Sequence, residues 1–339
     1  MTAVVARLDS AGDVLITGPA VRAVASGHGP VVFLAGPRGC EAARLLPAVA
    51  DVIEWQAPWV DFDSPELTCG HVESLVKQLR DVGPDRMYIF TSFHQSPLPL
   101  ALIGRMAGVP WIGAISEDYP GTLLDLRHHA EPGVPEPERA LSLVSAAGCA
   151  WPRGDDGALR VEVASSLPAD LDEITRVAPY VAFHPGAAVP ARRPTADRSA
   201  AMVRALADAG YRVLVTGDRA ECALTAQVAG DTAVDLGGRT SLATLATVYA
   251  RARVVVVPNT GPAHLAAAVA TPVVSLFAPV VPASQWLPYG RNVIRLGDQT
   301  APCRLSRARQ CPVPGHPCLD GITDAELLAA VDQYGGRTT

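Results

Sequence analysis

The sequence contains no unbroken apolar run of the roughly 20 residues needed to cross a membrane. Its first residues, MTAVVARLDSAGD, lack the basic start and apolar core of a signal peptide, so we expect a cytoplasmic protein. A formal net charge of −6 and a pI of about 5.7 disfavour a general nucleic-acid binder. No low-complexity tract or short-period repeat occurs, and what remains is an ordinary globular composition.

Several motifs that would identify a site are also missing. Neither a P-loop nor a GxGxxG follows a strand, which disfavours a Rossmann dehydrogenase. The seven cysteines are odd in number and widely spread, so we expect reduced thiols. Cys303, Cys311 and Cys318, with His316, do not have the spacing of a zinc finger. We interpret them as structural thiols in preference to a zinc site or a disulfide.

The chain does contain alternating strand and helix patterns along almost its whole length of 339 residues. Nearly continuous Val, Ile and Leu runs are typical of parallel strands covered by helices on both faces, so we predict an α/β, doubly wound fold. The patterns predict strands at Ala3–Leu8, Val31–Ala35, Val52–Trp55, Met87–Thr91, Trp111–Ile115, Tyr180–Phe183, Arg212–Val215, Val254–Val257, Val273–Phe277 and Val293–Leu296. Helical spacing predicts helices at Asp197–Ala209 and Leu242–Arg251.

The alternation stops once, in a stretch rich in Gly, Pro and Asp around Gly148–Asp172. The only strand pattern there is Leu159–Val163, and Asp155-Asp156 reads as a solvated pair. A chain of this length usually forms two domains, so we predict domains at 1–160 and 173–339 joined by a linker at 161–172. Whether the C-terminal helix packs back on the first domain is left open.

A tight polar turn follows the buried run at Val254–Val257, in VVVVPNTGPAHLAAA. Asn259 or Thr260 suits an N-cap, and Pro262 suits the first turn of a helix. Free backbone amides at Thr260, Gly261, Ala263 and His264 would then attract an anion at the end of a strand. From spacing alone, a phosphate site and a plain capped crossover helix are equally favoured.

Two other strand ends carry polar residues. RLDSAGD places Asp9, Gly12 and Asp13 after the first strand, where an aspartate could act as a general base, although two capping residues are the favoured interpretation of this motif alone. HPGAAVPARRPTADR places Arg192 and Arg193 ahead of a helix, where they could hold a phosphate, or simply be solvated.

Three further motifs are interpreted as structural. Asp61-Phe62-Asp63 matches a metal-binding DxD but lies in a Pro-rich loop, so a solvated turn is favoured. His128-His129 are adjacent and are read as loop residues, because the ligands of a metal site must converge. Gly36-Pro37-Arg38-Gly39 follows a strand and is at least as well explained by a plain turn as by a ligand-binding site.

Taken together, four motifs closely resemble glycosyltransferase family 9, the ADP-heptose heptosyltransferases. They are RLDSAGDVLITGPAVRAV, HPGAAVPARRPTADR, the long stretch VDLGGRTSLATLATVYARARVVVVPNTGPAHLAAAVATPVVSLFAP, and CPVPGHPCLDGIT. The similarity is best between Ala233 and Pro279, whereas Asp51–Pro137 matches only in architecture.

The resemblance implies a GT-B fold, in which two Rossmann-like doubly wound domains face one another across a cleft, the first binding the acceptor and the second the nucleotide-sugar. It implies inversion without a metal or other cofactor, with Asp13 as the general base. The donor-binding residues it implies are Gly12, Arg192, Thr216, Gly217, Glu221 (on a ribose hydroxyl), Leu236 and Gly237 (against the base), Asn259, Thr260, Gly261, Ala263 and His264.

The chain departs from the family pattern at two positions. Asn259 stands where aspartate is usual, and Pro194 replaces the usual tryptophan. Both changes bear on the donor sugar more than on the transfer chemistry. The partners expected are an ADP-type nucleotide-sugar and a small-molecule or glycan acceptor, bound by a monomer, with Ser92–Gln95 and Ser116–Tyr119 on the acceptor side. Two alternatives stay open, a nucleotide-sugar epimerase and a non-catalytic nucleotide-binding homologue.

Overall fold

The computed structural model describes residues 1–60, 64–92 and 94–334, which form two compact units. The first unit is Met1–Arg160 and the second is Val161–Thr339. The division therefore falls at the start of the expected linker, and residues 161–172 belong to the second unit.

The first unit contains one six-stranded parallel sheet in the order β3-β2-β1-β4-β5-β6. Its strands are β1 Ala3–Arg7, β2 Val31–Ala35, β3 Val49–Glu54, β4 Arg86–Phe90, β5 Trp111–Ile115 and β6 Leu126–His128. Its helices are α1 Ala11–His28, α2 Cys40–Leu45, α3 Cys69–Val82, α4 Leu98–Ala107 and α5 Glu136–Ala146.

The second unit repeats this plan, with a parallel sheet in the order β12-β11-β10-β7-β8-β9. Its strands are β7 Val181–Phe183, β8 Val213–Val215, β9 Val234–Asp235, β10 Val254–Pro258, β11 Val273–Leu276 and β12 Val293–Leu296. Its helices are α6 Ala169–Arg176, α7 Ala196–Asp208, α8 Cys222–Ala229, α9 Leu242–Arg251, α10 Gly261–Ala268, α11 Ala283–Trp286, α12 Pro317–Asp320 and α13 Asp324–Asp332, and two short 3-10 helices span Pro190–Arg192 and Arg219–Glu221.

The α/β prediction is confirmed, and every predicted strand but Leu159–Val163 is present. Residues 159–163 alternate apolar and polar side chains but form no ladder; Leu159 is buried, and Arg160 pairs with Asp155 and Asp156. The short strands β6 and β9 were not predicted. His128, interpreted as a loop residue, is the last residue of β6.

The interpretation of Asp155-Asp156 as a solvated pair is wrong for Asp155. Its side chain is 5% exposed and receives two hydrogen bonds from Arg22, at 2.6 Å from Nε and 2.9 Å from Nη2. The bond from Arg22 holds the pKa of Asp155 at about 2. This ion pair ties the end of the first unit to α1. Asp156 alone has the solvated character that was predicted, with its side chain 62% exposed.

The last described helix, α13, packs within the second unit against α7 and β12. A capping box of Thr323 and Glu326 begins it, and the hydroxyl of Tyr211 donates to Asp332 at its end. None of the helices in the described ranges is long and apolar enough to span a bilayer.

Candidate active site

Asp13 lies in the first turn of α1, at the carboxyl end of the central strand β1. The backbone N–H and the hydroxyl of Ser10 donate to its Oδ2, at 3.2 and 2.6 Å. Its Oδ1 receives a hydrogen bond from Arg7 Nη2 at 3.2 Å. Both oxygens are thus held, yet the side chain is 17% exposed, so the carboxylate is fixed in place and still reachable.

Arg7 is the centre of this arrangement. Its side chain is 2% exposed, and its Nη2 also donates to Ser92 Oγ at 3.0 Å. Its Nε lies 2.7 Å from Asp9 Oδ2, an ion contact and not a well-directed hydrogen bond. Desolvation disfavours the charge on Arg7, but Asp9 and Asp13 outweigh it, so the pKa of Arg7 is raised.

The sequence left two interpretations of Asp9 open, a general base and a helix cap. In the structure it is a buried ion-pair partner of Arg7. Its Oδ1 accepts from Gln95 Nε2 at 2.5 Å, and Ser92 Oγ lies 3.5 Å from its Oδ2. Burial raises the pKa of Asp9, against the opposite pull of Arg7. Ser92 and Gln95, expected on the acceptor side, are therefore part of the same network as Asp13.

Glu136 and Arg139 complete the network, and sequence reasoning missed both. They lie in the first turn of α5, which packs on α1. The Glu136 side chain is 2% exposed and lies 3.7 Å from Arg139, whose Nη1 donates to the carbonyl of Thr91 at 2.7 Å. Burial raises the pKa of Glu136, because Arg7 and Arg139 offset its desolvation only in part. An acidic residue at a helix start is so common that the sequence carries no signal for this role.

A small, mainly apolar recess adjoins this network at the ends of β1 and β4. Its volume is about 10 Å³, room for about one water molecule. Its lining residues are Leu8, Trp59, Val60, Ile89, Phe90, Thr91, Gln95, Ser96, Pro97 and Leu100.

In the second unit, the ends of four neighbouring strands bring most of the predicted donor residues to one edge of the sheet. Thr216 and Gly217 follow β8, and Leu236 and Gly237 follow β9. Asn259 and Thr260 follow β10, directly before α10. Leu236 is fully buried, and its backbone N–H donates to the carbonyl of Val215.

A buried chain of neutral hydrogen bonds lies beneath this edge. His184 Nδ1 is 3.1 Å from Thr216 Oγ1, which is 3.2 Å from the hydroxyl of Tyr249. Burial lowers the pKa of His184 to about 4, so its ring is neutral near pH 7. The motif HPGAA marked this segment in the sequence, but His184 was not predicted as a site residue.

Glu221 lies at the same edge, 3.7 Å from His184 Nε2. Burial raises the pKa of its carboxyl group, and Arg193 acts on it in the opposite sense. A methyl group at Gly186 would overlap the Glu221 carboxylate, so the glycine allows this close approach. A methyl group at Gly217 or Gly237 would likewise overlap the side chain of Thr225 on α8, so both glycines allow a close approach. The sequence did not predict this contact.

The turn between β10 and α10 has the predicted form, with Thr260 as N-cap and Pro262 in the first turn. One detail was wrong, because the Ala263 amide is not free and donates to the carbonyl of Thr260 at 3.0 Å. Asn259 is 4% exposed, and among the described residues its Nδ2 has no hydrogen-bond partner. Gly261 and His264 lie in the first turn of α10, and Arg192 ends the short 3-10 helix after β7.

The motifs that were set aside carry no further site in the described ranges. Asp61-Phe62-Asp63 lies outside the described residues. All seven cysteines are free thiols, and Cys303 and Cys318 are buried, as expected of structural thiols. Within residues 1–60, 64–92 and 94–334, no group of three or more His, Cys, Asp or Glu is arranged to hold a metal ion. Gly36–Gly39 forms a turn that leads into α2.

The model of glycosyltransferase family 9 (heptosyltransferase) matches residues 72–316, a range that begins after Asp13. A search among curated proteins found no match.

Three solved structures share the fold over nearly the whole chain. Escherichia coli ADP-heptose LPS heptosyltransferase II is 20% identical, with 98% of each chain covered and a TM-score of 0.77. A family 9 glycosyltransferase from Veillonella parvula DSM 2008 is 15% identical, covers 98% of this chain and 96% of its own, and has a TM-score of 0.80. E. coli heptosyltransferase WaaC with ADP-2-deoxy-2-fluoro heptose is 20% identical, with 99% and 100% covered and a TM-score of 0.70.

The resemblance carried by the four sequence motifs is thereby confirmed, as is the GT-B assignment of the two parallel-sheet units. Because the family match spans more than half of the chain, this protein belongs to glycosyltransferase family 9 and is a heptosyltransferase-like glycosyltransferase.

Proposed function

We propose that the protein transfers a sugar, such as a heptose, from an ADP-linked donor to a hydroxyl or amine of an acceptor, with inversion and without a metal. The observation that carries this proposal is the environment of Asp13, whose two carboxylate oxygens are held by Arg7 and Ser10 while the side chain stays partly exposed. A general base must be ionised, aimed and accessible, and Asp13 meets the last two conditions by geometry.

In the proposed step, the acceptor oxygen or nitrogen attacks the anomeric carbon as Asp13 takes its proton. A new bond forms at that carbon on the face opposite the leaving group, and the bond to the diphosphate breaks. The bonding electron pair goes to the diphosphate, so negative charge develops there. Hydrogen-bond donors that are already in place stabilise such charge without having to reorganise.

The edge of the second sheet supports the donor role of the second unit. The first turn of α10 provides a helix N-terminus, which favours an anion. The buried Nδ2 of Asn259 is a donor that a bound oxygen would satisfy. Arg193 acts on Glu221 at this edge, and we assign Arg192, which ends the adjacent 3-10 helix, to the diphosphate.

The acceptor would occupy the first unit, within reach of the partly exposed Asp13 carboxylate. We propose a small, soluble acceptor, such as a metabolite or a natural-product core. We also propose that the enzyme acts as a monomer in the cytoplasm, where its seven free thiols would remain reduced.

A product assay tests the proposed function. ADP-heptose is incubated with the enzyme alone and with a panel of hydroxyl and amine acceptors, and products are identified by mass and by anomeric configuration. The proposal predicts an acceptor-dependent glycoside of inverted configuration together with ADP. An isomerised donor in the arm without acceptor would indicate an epimerase instead. Binding of the donor without turnover on any acceptor would indicate a non-catalytic homologue.

A further inference from the structure

Three buried polar side chains form a chain of hydrogen bonds beneath the edge of the second sheet. The Tyr249 hydroxyl lies 3.2 Å from Thr216 Oγ1, which lies 3.1 Å from His184 Nδ1. Tyr249 and Thr216 are fully buried and His184 is 4% exposed, so little water competes for these groups. We call this chain the Tyr249–Thr216–His184 relay.

The direction of the hydrogen bonds in the relay follows from the groups at its two ends. Among the residues that the structure describes, Thr216 Oγ1 is the only hydrogen-bond partner of the Tyr249 hydroxyl. A buried hydroxyl hydrogen needs an acceptor, so Tyr249 donates to Thr216, and Thr216 in turn donates to His184 Nδ1. Burial lowers the pKa of His184 to about 4, so the ring is neutral and carries its single proton on Nε2.

The proton on Nε2 matters because this atom lies next to Glu221. Nε2 is 3.7 Å from Glu221 Oε2, which also accepts a hydrogen bond from the backbone N–H of Asp218 at 3.1 Å. An Nε2–H presents the positive end of a dipole to the carboxylate, whereas the other tautomer would present a lone pair and repel it. The His184 and Glu221 side chains are 5% and 17% exposed, so water screens this difference weakly. The relay therefore selects the tautomer that holds the carboxylate in place.

The Glu221 carboxylate is closely packed and is still reachable from solvent. A methyl group at Gly186 would overlap its Oε1, and one at Gly217 would come within 3.3 Å of its Oε2. The Glu221 side chain is nevertheless 17% exposed. A carboxylate fixed in this way can accept hydrogen bonds from hydroxyls at defined positions, as acidic side chains do toward ribose in nucleotide-binding folds.

We propose that His184 is a positioning residue for Glu221, and that the relay keeps it in the Nε2–H form so that the carboxylate distinguishes ribose from deoxyribose in the donor nucleotide. This inference rests on the proposed function only in taking a nucleotide ribose as the group that Glu221 meets. The side chains of Tyr249 and Thr216 are fully buried, so they act on this recognition through His184 and not by contact with the ligand.

The first experiment determines the tautomer without any ligand. Imidazole groups of ¹⁵N-labelled histidine are observed by long-range ¹H–¹⁵N correlation at pH 7, with the His184 signals assigned from His184→Phe. We expect the Nε2–H form in the wild type and a larger Nδ1–H fraction in Tyr249→Phe and Thr216→Val. Tyr180→Phe is the matched control, because this similarly buried phenol donates to the carbonyl of Val248 outside the relay. An Nδ1–H tautomer in the wild type would overturn the proposal.

The second experiment measures ribose discrimination. Calorimetry gives the affinities of ADP, 2′-deoxy-ADP and 3′-deoxy-ADP for each variant. In the wild type we expect at least one deoxy form to bind about tenfold more weakly than ADP, the usual effect of losing a hydrogen bond to a charged group. Glu221→Gln and His184→Phe should lower that ratio by about threefold or more, and Tyr249→Phe should lower it by less. Tyr180→Phe should leave the ratio unchanged, which separates positioning from simple support of the fold.

A double-mutant cycle in urea tests the contact itself without a nucleotide. His184→Phe, Glu221→Gln and the double variant should show favourable coupling of about threefold in the unfolding constant, and zero or unfavourable coupling would overturn the contact. An unchanged ribose ratio in His184→Phe and Tyr249→Phe would overturn the positioning role. If His184→Phe does not fold, Tyr249→Phe replaces it in both measurements. Failure of the proposed function would be seen separately, as no binding of ADP to the wild type, and the tautomer and the cycle would still decide this inference.

Discussion

The carboxyl edges of the two sheets have the same topology but opposite chemistry. At the edge of the first sheet, Asp13 belongs to a largely buried set of charged side chains centred on Arg7. At the edge of the second, the buried polar groups are neutral, as in the chain from His184 through Thr216 to Tyr249. One parallel-sheet plan therefore carries two kinds of site.

The difference follows from what each edge is proposed to do. A group that moves a proton needs a charge held in advance by fixed partners, because reorganising it during the reaction would cost free energy. An edge that receives an anionic ligand needs hydrogen-bond donors, cations and a helix N-terminus, since a fixed carboxylate would repel the ligand. Glu221 is the exception at the second edge, and burial raises the pKa of that carboxyl group.

The largest expected effect comes from removing the charge at the first edge. Asp13→Ala should lower kcat by about 10²–10⁴-fold, the usual contribution of a general base. Donor affinity should not change, because the donor is proposed to bind the second unit. Turnover by rapid quench and ADP affinity by calorimetry check the two parts. Unchanged turnover would remove Asp13 from its role.

The second edge is tested by Arg192→Ala. Losing a hydrogen-bonded charge should weaken ADP binding by about 10- to 100-fold and leave adenosine binding nearly unchanged. Calorimetric titration of both ligands measures the contrast, with Arg204→Ala on α7 as a control. Equal losses for the two ligands would contradict a diphosphate contact.

The two edges should also differ in how pH affects stability. The folded pKa of His184 is lowered to about 4, so unfolding takes up a proton between about pH 6.5 and pH 4, and the free energy of unfolding falls as pH drops through that window. Between pH 6.5 and 5 this loss is about 2 kcal/mol. Urea denaturation at both pH values should show a smaller loss in His184→Asn.

Asp9 and Glu136 have raised folded pKa values, so at the first edge the sign reverses. The contribution of these two carboxyl groups to the free energy of unfolding is greatest below their ordinary pKa range. It falls as pH rises through their folded pKa values. An acid sensitivity that is unchanged in His184→Asn would contradict the assignment to the second edge.

The smallest effect is expected at Asn259, where the neutral character of the second edge can be changed by one atom. Asn259→Asp introduces a carboxylate beside the proposed diphosphate and should weaken ADP binding by about fivefold, or about 1 kcal/mol. Adenosine affinity serves as the control and should be unaffected. Tighter binding of ADP to the variant would show that Asn259 does not face the diphosphate.

Much of the fold could be predicted because local pattern and tertiary structure agree. Helix Leu242–Arg251 is found at the predicted bounds, since its apolar spacing and the Ser241 cap both indicate them. The short edge strands could not be predicted. β9 has only two residues, and its pairing with β8, rather than its composition, defines it.

The candidate site was predictable only where it depended on local sequence. Asp13 follows a strand and was assigned as the base only through the family resemblance of its motif, whereas Glu136 lies on α5, which packs against α1. Asp155 was misjudged for the same reason, because its partner Arg22 lies on a distant helix. Pairing between distant residues leaves no periodic pattern in a sequence.

The most direct test of the account is a calorimetric titration of the wild-type enzyme with ADP, UDP, GDP and CDP at one pH and ionic strength. The account predicts that ADP binds at least about tenfold more tightly than the other nucleotides, a difference of about 1.4 kcal/mol. It also predicts that Asp13→Ala binds ADP with the same affinity as the wild type. Equal affinity for all four nucleotides, or a preference for UDP, would contradict an ADP-linked donor held by the second unit.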